Sequence, residues 1–211
     1  MAKKVKCIVI GSVKIENGKI FQEYNLEECY IICADGGLDN ANRFGIKPDL
    51  VIGDFDSYQG QMPVQTETIR LNVEKDETDT LAAVREGMKC GYQDFILLGV
   101  LGGERIDHSY ANFCVLQYLC NHGCKAVLIG ETCKVFLLSG GCLTLSGVKG
   151  ATVSVFPFGC SACRVSYIGL KYPLTKALLH SDNPLGVSNR TESDEAEIYV
   201  HDGNALIFVQ F

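Results

Sequence analysis

A chain of 211 residues, 47% hydrophobic and carrying 22 glycines, has room for one large or two small packed domains with many tight turns. Its formal net charge of -6 excludes a general electrostatic surface for nucleic acid or anionic membrane, so any bound polyphosphate has to be met locally. Met1 to Ile10 holds three lysines and an apolar run too short for a signal sequence or a membrane span, which points to a cytoplasmic protein.

In chain order, the first two thirds alternates strand and helix. Strands are predicted at Lys4 to Ile10, Tyr30 to Ala34, Leu50 to Gly53, Thr68 to Asn72, Asp94 to Gly99 and Ala126 to Ile129. Helices are predicted at Leu38 to Phe44, at Thr80 to Cys90 with Leu81, Val84 and Met88 on one face, and at Asp107 to Asn121 with Tyr110, Cys114 and Tyr118 recurring every four residues. That alternation is the pattern of a mainly parallel sheet flanked by helices, an α/β N-terminal domain over residues 1–131.

After Ile129 the texture changes. Val135 to Leu138, Cys142 to Leu145, Thr152 to Phe156, Cys163 to Tyr167, Glu197 to Val200 and Leu206 to Phe211 are short strand-like runs with no helix between them. Lys149-Gly150 and Asp202-Gly203-Asn204 have the composition of hairpin turns. Residues 132–211 are therefore expected to form an all-β, sandwich-like C-terminal domain.

Most of the eleven cysteines are expected to be free and buried rather than in disulfides or a metal site. Cys7, Cys33, Cys90, Cys114 and Cys142 stand among aliphatic residues, where cysteine packs as a small hydrophobe. Cys160 and Cys163 form a C-x-x-C with no second pair, and Cys120, His122 and Cys124 share one helix end, so neither has the arrangement of a zinc site.

The residues that carry chemistry follow predicted strands. In P-D-L-V-I-G-D-F-D-S, a buried run ends at Gly53 and two carboxylates, Asp54 and Asp56, follow at once. Ligands of open α/β sheets collect outside the carboxyl ends of the strands, and acids placed there suit Mg2+ carrying substrate phosphates. The alternative is a solvated turn with Ser57 as a helix cap. Asp35-Gly36-Gly37 follows the second strand and opens a helix, an arrangement that receives an anion on backbone N–H groups. Lys75-Asp76-Glu77-Thr78-Asp79 opens another helix, with Thr78 as its cap and Asp79 either complementing the helix dipole or serving as a third metal carboxylate. Gly102-Gly103-Glu104-Arg105-Ile106-Asp107-His108 follows the fifth strand. There Arg105 suits forked contacts with phosphate, Asp107 caps the helix or orients a substrate group, and His108 is a donor at the helix start.

Taken in order, A-D-G-G, G-I-K-P-D-L-V-I-G-D-F-D-S, K-D-E-T-D, G-G-E-R-I-D-H and the G-V-S-N of Gly186 to Asn189 resemble thiamin pyrophosphokinase over nearly the whole chain. The resemblance implies an ATP-binding α/β domain, a β domain that helps to hold thiamine, and a homodimer with active sites between subunits. It implies Mg2+ held by Asp54, Asp56 and Asp79, and a nucleotide site of Asp35, Gly36, Gly37, Ser57, Lys75, Thr78, Arg105 and His108. Asp107 is then the candidate general base, and Ser188 and Asn189 lie near thiamine. The chain has no tryptophan, so any aromatic contact with thiamine comes from another ring. The implied activity is transfer of pyrophosphate from ATP to the hydroxyethyl oxygen of thiamine, giving thiamine diphosphate and AMP. Two alternatives are a phosphatase of haloacid-dehalogenase type, whose D-x-D-x-T loop D-F-D-S resembles, and a sensor that binds nucleotide or thiamine without turnover.

Overall fold

The computed structural model describes residues 4–55, 66–72, 74 and 76–211, and the chain divides into two compact units, Met1–Glu131 and Thr132–Phe211. In the first unit β1 (Lys6–Ile10), β2 (Cys29–Ala34), β3 (Leu50–Gly53), β4 (Glu67–Arg70), β5 (Asp94–Leu98) and β6 (Lys125–Ile129) run side by side in the order β6-β5-β1-β2-β3-β4. Every pairing among them is parallel. Apart from the exposed edge strand β4, Glu-Thr-Ile-Arg, their sequences are mostly apolar runs because both faces are covered. Cys7, Ile8, Val9 and Ile10 are all fully buried.

Four helices are interleaved: α1 (Lys19–Gln22), α2 (Gly37–Arg43), α3 (Asp79–Lys89) and α4 (Ile106–Asn121). Ile8 and Ile10 share a core with Leu38 and Ala41 of α2. On the opposite face the register neighbours Cys7 and Phe95 lie against Gly87 of α3, where a Cβ would stand 2.9 Å from Cys7 Sγ and 2.8 Å from Phe95. The inward face of α3 is accordingly Ala82, Ala83, Val84 and Gly87, small residues that admit close approach to the sheet, rather than one centred on Leu81 and Met88. α4 also turns differently from expectation. Asn112, Val115, Leu116 and Leu119 are buried, while Tyr110 and Cys114 are exposed, because a four-residue spacing marks a face without saying which neighbour it meets.

In the second unit β7 (Cys133–Ser146) and β12 (Glu195–Gln210) form one long antiparallel ribbon. The first half of β12 pairs with β9 (Ala162–Ile168), which carries β10 (Ala177–His180); the second half pairs with β8 (Thr152–Pro157), which carries β11 (Asn189–Arg190). Val153 and Val155 of β8 and Val165 and Tyr167 of β9 meet Ile198 and Ile207 of β12 in a single core. Two runs predicted on either side of Ser139 are thus one strand, and so are two on either side of Asp202-Gly203-Asn204, which is a bulge and not a hairpin turn. Gly140 and Gly141, at φ 76° and 94°, lie across from that bulge, so both strands bend together without ending.

Candidate active site

The strand order β4-β3-β2-β1-β5-β6 reverses direction at β1, and ligands of such sheets bind outside the carboxyl ends of strands at that switch point. Asp35 leaves β2 there with φ 45°, and Phe55 follows Asp54 out of β3 with φ 57°. Left-handed backbone at a residue with a Cβ costs about 1–3 kcal/mol and persists only where the surroundings enforce it. Asp35 is held by donation of its N–H to Ile52 O at 2.7 Å. Phe55 is buried in the core with Val51, under the Arg70 guanidinium 5.7 Å from its ring, and leaves Asp54 half-buried beside it.

Close packing of the A-D-G-G turn against β1 requires the second glycine, since a Cβ at Gly37 would fall 1.9 Å from Ile10 O. Gly36 and Gly37 thereby set Asp35 against the loop leaving β1. Thr78 begins α3 as its cap, accepting from Leu81 N–H at 3.3 Å, and Asp79 in the first turn is half-buried with its Oδ1 enclosed. α4 contributes His108 and the buried Asn112, whose Nδ2 donates to Val100 O at 2.8 Å.

These elements enclose a cavity of about 110 Å³ lined by Ser12, Asp35, Thr78, Asp79, His108 and Asn112. Burial raises the Asp35 carboxyl above the ordinary aspartate range, and the charges of Asp79 and Asp54 push it further, against hydrogen bonds from the Gly36 and Phe55 backbone. Asp35 Oδ1 is buried and accepts no hydrogen bond among the described residues. An unsatisfied carboxylate oxygen amid three mutually repelling acids is a donor set that a hard cation suits. Among the described residues no three Asp, Glu, His or Cys side chains form a metal-binding group on their own. Asp56, expected as a ligand, lies outside the described residues, as do Ser57 and Lys75.

Arg105 and Asp107 are placed differently from the cavity residues. Arg105 Nε and a terminal guanidinium nitrogen donate to the two Asp107 carboxylate oxygens at 2.9 and 2.5 Å, and the side chains are 65% and 62% exposed. The Arg105 guanidinium holds the Asp107 carboxyl down at about 2. Asp107 does not cap α4, which starts one residue earlier with Arg105 at the cap position and no side-chain cap bond.

Ser188 and Asn189 belong to the second unit. Ser188 is exposed at φ 58°, its N–H donating to Ser154 Oγ at 3.0 Å. Asn189 is buried and directs its amide at Tyr172, accepting from Tyr172 N–H at 3.0 Å and donating to Tyr172 O at 2.8 Å. It holds a turn in place beside the exposed Ser188.

Ser12 and Asn112 line the cavity without having been singled out in the sequence, beside Thr80 at the end of the stretch that begins at Lys75. Ser12 follows Gly11 at the end of β1, so the strand-end rule that marked Asp35 and Asp54 applies to it too. Its loop carries no paired glycine, and its acid, Glu16, is paired with Lys14 and Arg43 away from the strand end.

A cleft of carboxylates and hydroxyls at the switch point of a parallel sheet is the construction of α/β enzymes that handle phosphate-bearing ligands. The model of the thiamin pyrophosphokinase catalytic domain matches residues 21–128, and that of the thiamin pyrophosphokinase vitamin B1 binding domain matches residues 131–205. The chain belongs to the thiamin pyrophosphokinase family. Among solved structures, thiamine pyrophosphokinase from Bacillus subtilis superposes with a TM-score of 0.87 at 22% identity, over 98% of this chain and 99% of that one. Thiamin pyrophosphokinase from Candida albicans gives 0.75 at 18% identity over 99% and 89%, and the yeast enzyme 0.77 at 14% over 98% and 86%. At such identities these structures establish a shared fold. No curated protein sequence matches the chain. The activity of the family is that of a thiamine diphosphokinase, an enzyme that transfers pyrophosphate from ATP to thiamine.

Proposed function

We propose that residues 1–131 form the α/β domain that binds ATP, that residues 132–211 form a β-sandwich that binds thiamine, and that Asp54, Asp56 and Asp79 hold Mg2+. The observation that carries the site is the enclosed, unbonded Asp35 oxygen close to Asp54 and Asp79, an excess of negative charge at the sheet's carboxyl edge. A divalent cation bound there would neutralise charge on the polyphosphate. The nucleotide is proposed to lie along Asp35, Gly36, Gly37, Ser57, Lys75, Thr78, Arg105 and His108, with Ser188 and Asn189 at thiamine.

The reaction forms a bond from the thiamine hydroxyethyl oxygen to the β-phosphorus and breaks the bridge to the α-phosphorus in line, so AMP leaves with the bridging oxygen. Positioning and charge neutralisation dominate such a transfer. Asp107, paired with Arg105, is ionised at neutral pH and a weak base. Its proposed role as acceptor of the hydroxyl proton therefore requires Arg105 to turn from it to a phosphate oxygen, which would also give that phosphate a forked contact.

A cytoplasmic location accords with eleven free cysteines, and no helix among the described residues is long and apolar enough to cross a membrane. A homodimer with active sites between subunits accords with the exposed Ile106 and Tyr110 one turn apart on α4.

Incubation with Mg2+, ATP and thiamine, followed by identification of both products, tests the whole. AMP and thiamine diphosphate in equal amounts are expected. ADP with thiamine monophosphate would refute pyrophosphate transfer, and free phosphate alone would favour a phosphatase.

A further inference from the structure

Ser12 is exposed where β1 ends and lines the same cavity as Asp35, Asp79 and His108. The backbone on either side of it is pinned. Gly11 N–H donates to Leu98 O at 2.8 Å and Val13 N–H to Gly99 O at 2.9 Å, which ties the loop to the end of β5. From α2, Asn40, only 3% exposed, donates through Nδ2 to Gly11 O at 2.8 Å and to Val13 O at 2.9 Å, and its Oδ1 accepts from Ile15 N–H at 3.0 Å. A buried amide with both donors and an acceptor engaged by one short loop allows that loop a single geometry. Ser12 sits against the A-D-G-G turn, where a Cβ on Gly36 would be 3.1 Å from Ser12 Cβ.

Oxygens of a bound nucleotide need donors, which the cavity's carboxylates cannot supply; the lining side chains that can are the hydroxyls of Ser12, Thr78 and Thr80 and the ring of His108, while the Asn112 amide is turned to Val100 O. Ser12 Oγ makes no hydrogen bond within the described residues, while the main chain around it is fixed. We propose that Ser12 contacts substrate, donating its hydroxyl to an oxygen of the bound nucleotide, and that Asn40 is the positioning residue that holds Ser12 in place. The inference rests on the proposal that this cleft takes ATP.

The test is calorimetric titration of wild type, Ser12→Ala, Asn40→Ala and the double variant with ATP plus Mg2+, and with AMP alone, beside melting curves and KM for thiamine. Ser12→Ala is expected to weaken nucleotide binding about 5-fold or more, the worth of one hydrogen bond to a phosphate or ribose oxygen, with melting temperature and thiamine KM unchanged. A loss with both nucleotides places the hydroxyl at the AMP moiety; a loss with ATP alone places it at the outer phosphates. Asn40→Ala is expected to weaken binding similarly, and the double variant no further, because Asn40 acts through Ser12. If Asn40→Ala does not fold, Asn40→Asp, which keeps the shape and loses both donors, takes its place. Ser12→Ala within 2-fold of wild type for both nucleotides overturns the contact, and losses that multiply in the double variant overturn the role of Asn40. A wild type that binds neither nucleotide overturns the functional reading as well, so the two failures are distinct.

Discussion

The two adjacent glycines of the A-D-G-G turn are predicted to differ sharply in what they tolerate. A methyl at Gly37 would lie 1.9 Å from Ile10 O and 2.7 Å from Ile10 C, both backbone atoms of a fully buried strand. A carbon normally stays about 3.3 Å from a carbonyl oxygen, so β1 or the turn would have to move by about 1.4 Å. Overpacking against an atom that cannot rotate away costs about 2–3 kcal/mol, which in a chain of this size lowers the melting temperature by about 4–12 °C. Gly36→Ala meets only the Ser12 side chain at 3.1 Å, and its φ of -58° suits any residue. The reduced freedom of the unfolded chain offsets that contact, and the net change should stay within about 1 kcal/mol. Thermal unfolding followed by circular dichroism and calorimetry compares the two. Gly37→Ala should also lose turnover, because Asp35 is carried by the displaced turn. A Gly37→Ala melting temperature within 2 °C of wild type, or an equal loss from Gly36→Ala, would refute the close-packing argument (threshold about the error of such scans).

Asp54→Asn is expected to abolish turnover with the melting temperature retained, since the side chain is only half-buried beside an anchored Phe55; near-normal rates at limiting Mg2+ would remove Asp54 from the metal site. Asn189→Ala leaves Tyr172 N–H and O without their partner and is expected to cost about 2–3 kcal/mol, read as a melting temperature lower by about 4–12 °C; an unchanged value would show that the Tyr172 turn holds itself. Burial pushes the Cys33 thiol from 9.0 up to about 12. The folded state therefore retains a proton that the unfolded state gives up, and stability is complete below pH 9.0 and falls as pH rises toward 12. Denaturant titrations across that window should show a shallower decline in Cys33→Ala, and an identical slope would contradict the assignment. In the same protein at neutral pH a maleimide should label the exposed Cys90, Cys114 and Cys142 in the native state, and Cys7 and Cys33 only after unfolding.

Local chemistry in the sequence determined a good deal. Unbroken apolar runs such as Leu50 to Gly53 have no reason to exist except as strands buried on both faces, and their alternation with helices implies parallel pairing. Thr78 is a cap by virtue of its own hydroxyl, three residues from the N–H it serves. The acids after β2 and β3 were legible as candidate site residues because the strand-end rule needs only the strand and the next few positions. The motifs were likewise sufficient to suggest the family, since each is contiguous and their order is preserved along the chain.

What the sequence could not decide depends on partners far along the chain. The recurrence of Tyr110, Cys114 and Tyr118 every four residues marked α4 as a helix, but which side of a helix is covered follows from the sheet and helix that meet it, and Val115 and Leu119 took that place. Glycine and aspartate at 202–203 carry the composition of a turn, yet β7 on one side and β9 on the other keep β12 running through them as a bulge. Cys90, Cys114 and Cys142 were read as small core residues from their neighbours and are exposed, because a local apolar setting does not fix orientation. Asn189 spends its amide on Tyr172, 17 residues away, and Asn40 reaches back 25 residues and more to the loop around Ser12. Periodicity and turn composition are properties of neighbours in sequence. Which hydrogen bonds a buried amide makes is a property of neighbours in space, and only the folded chain supplies them.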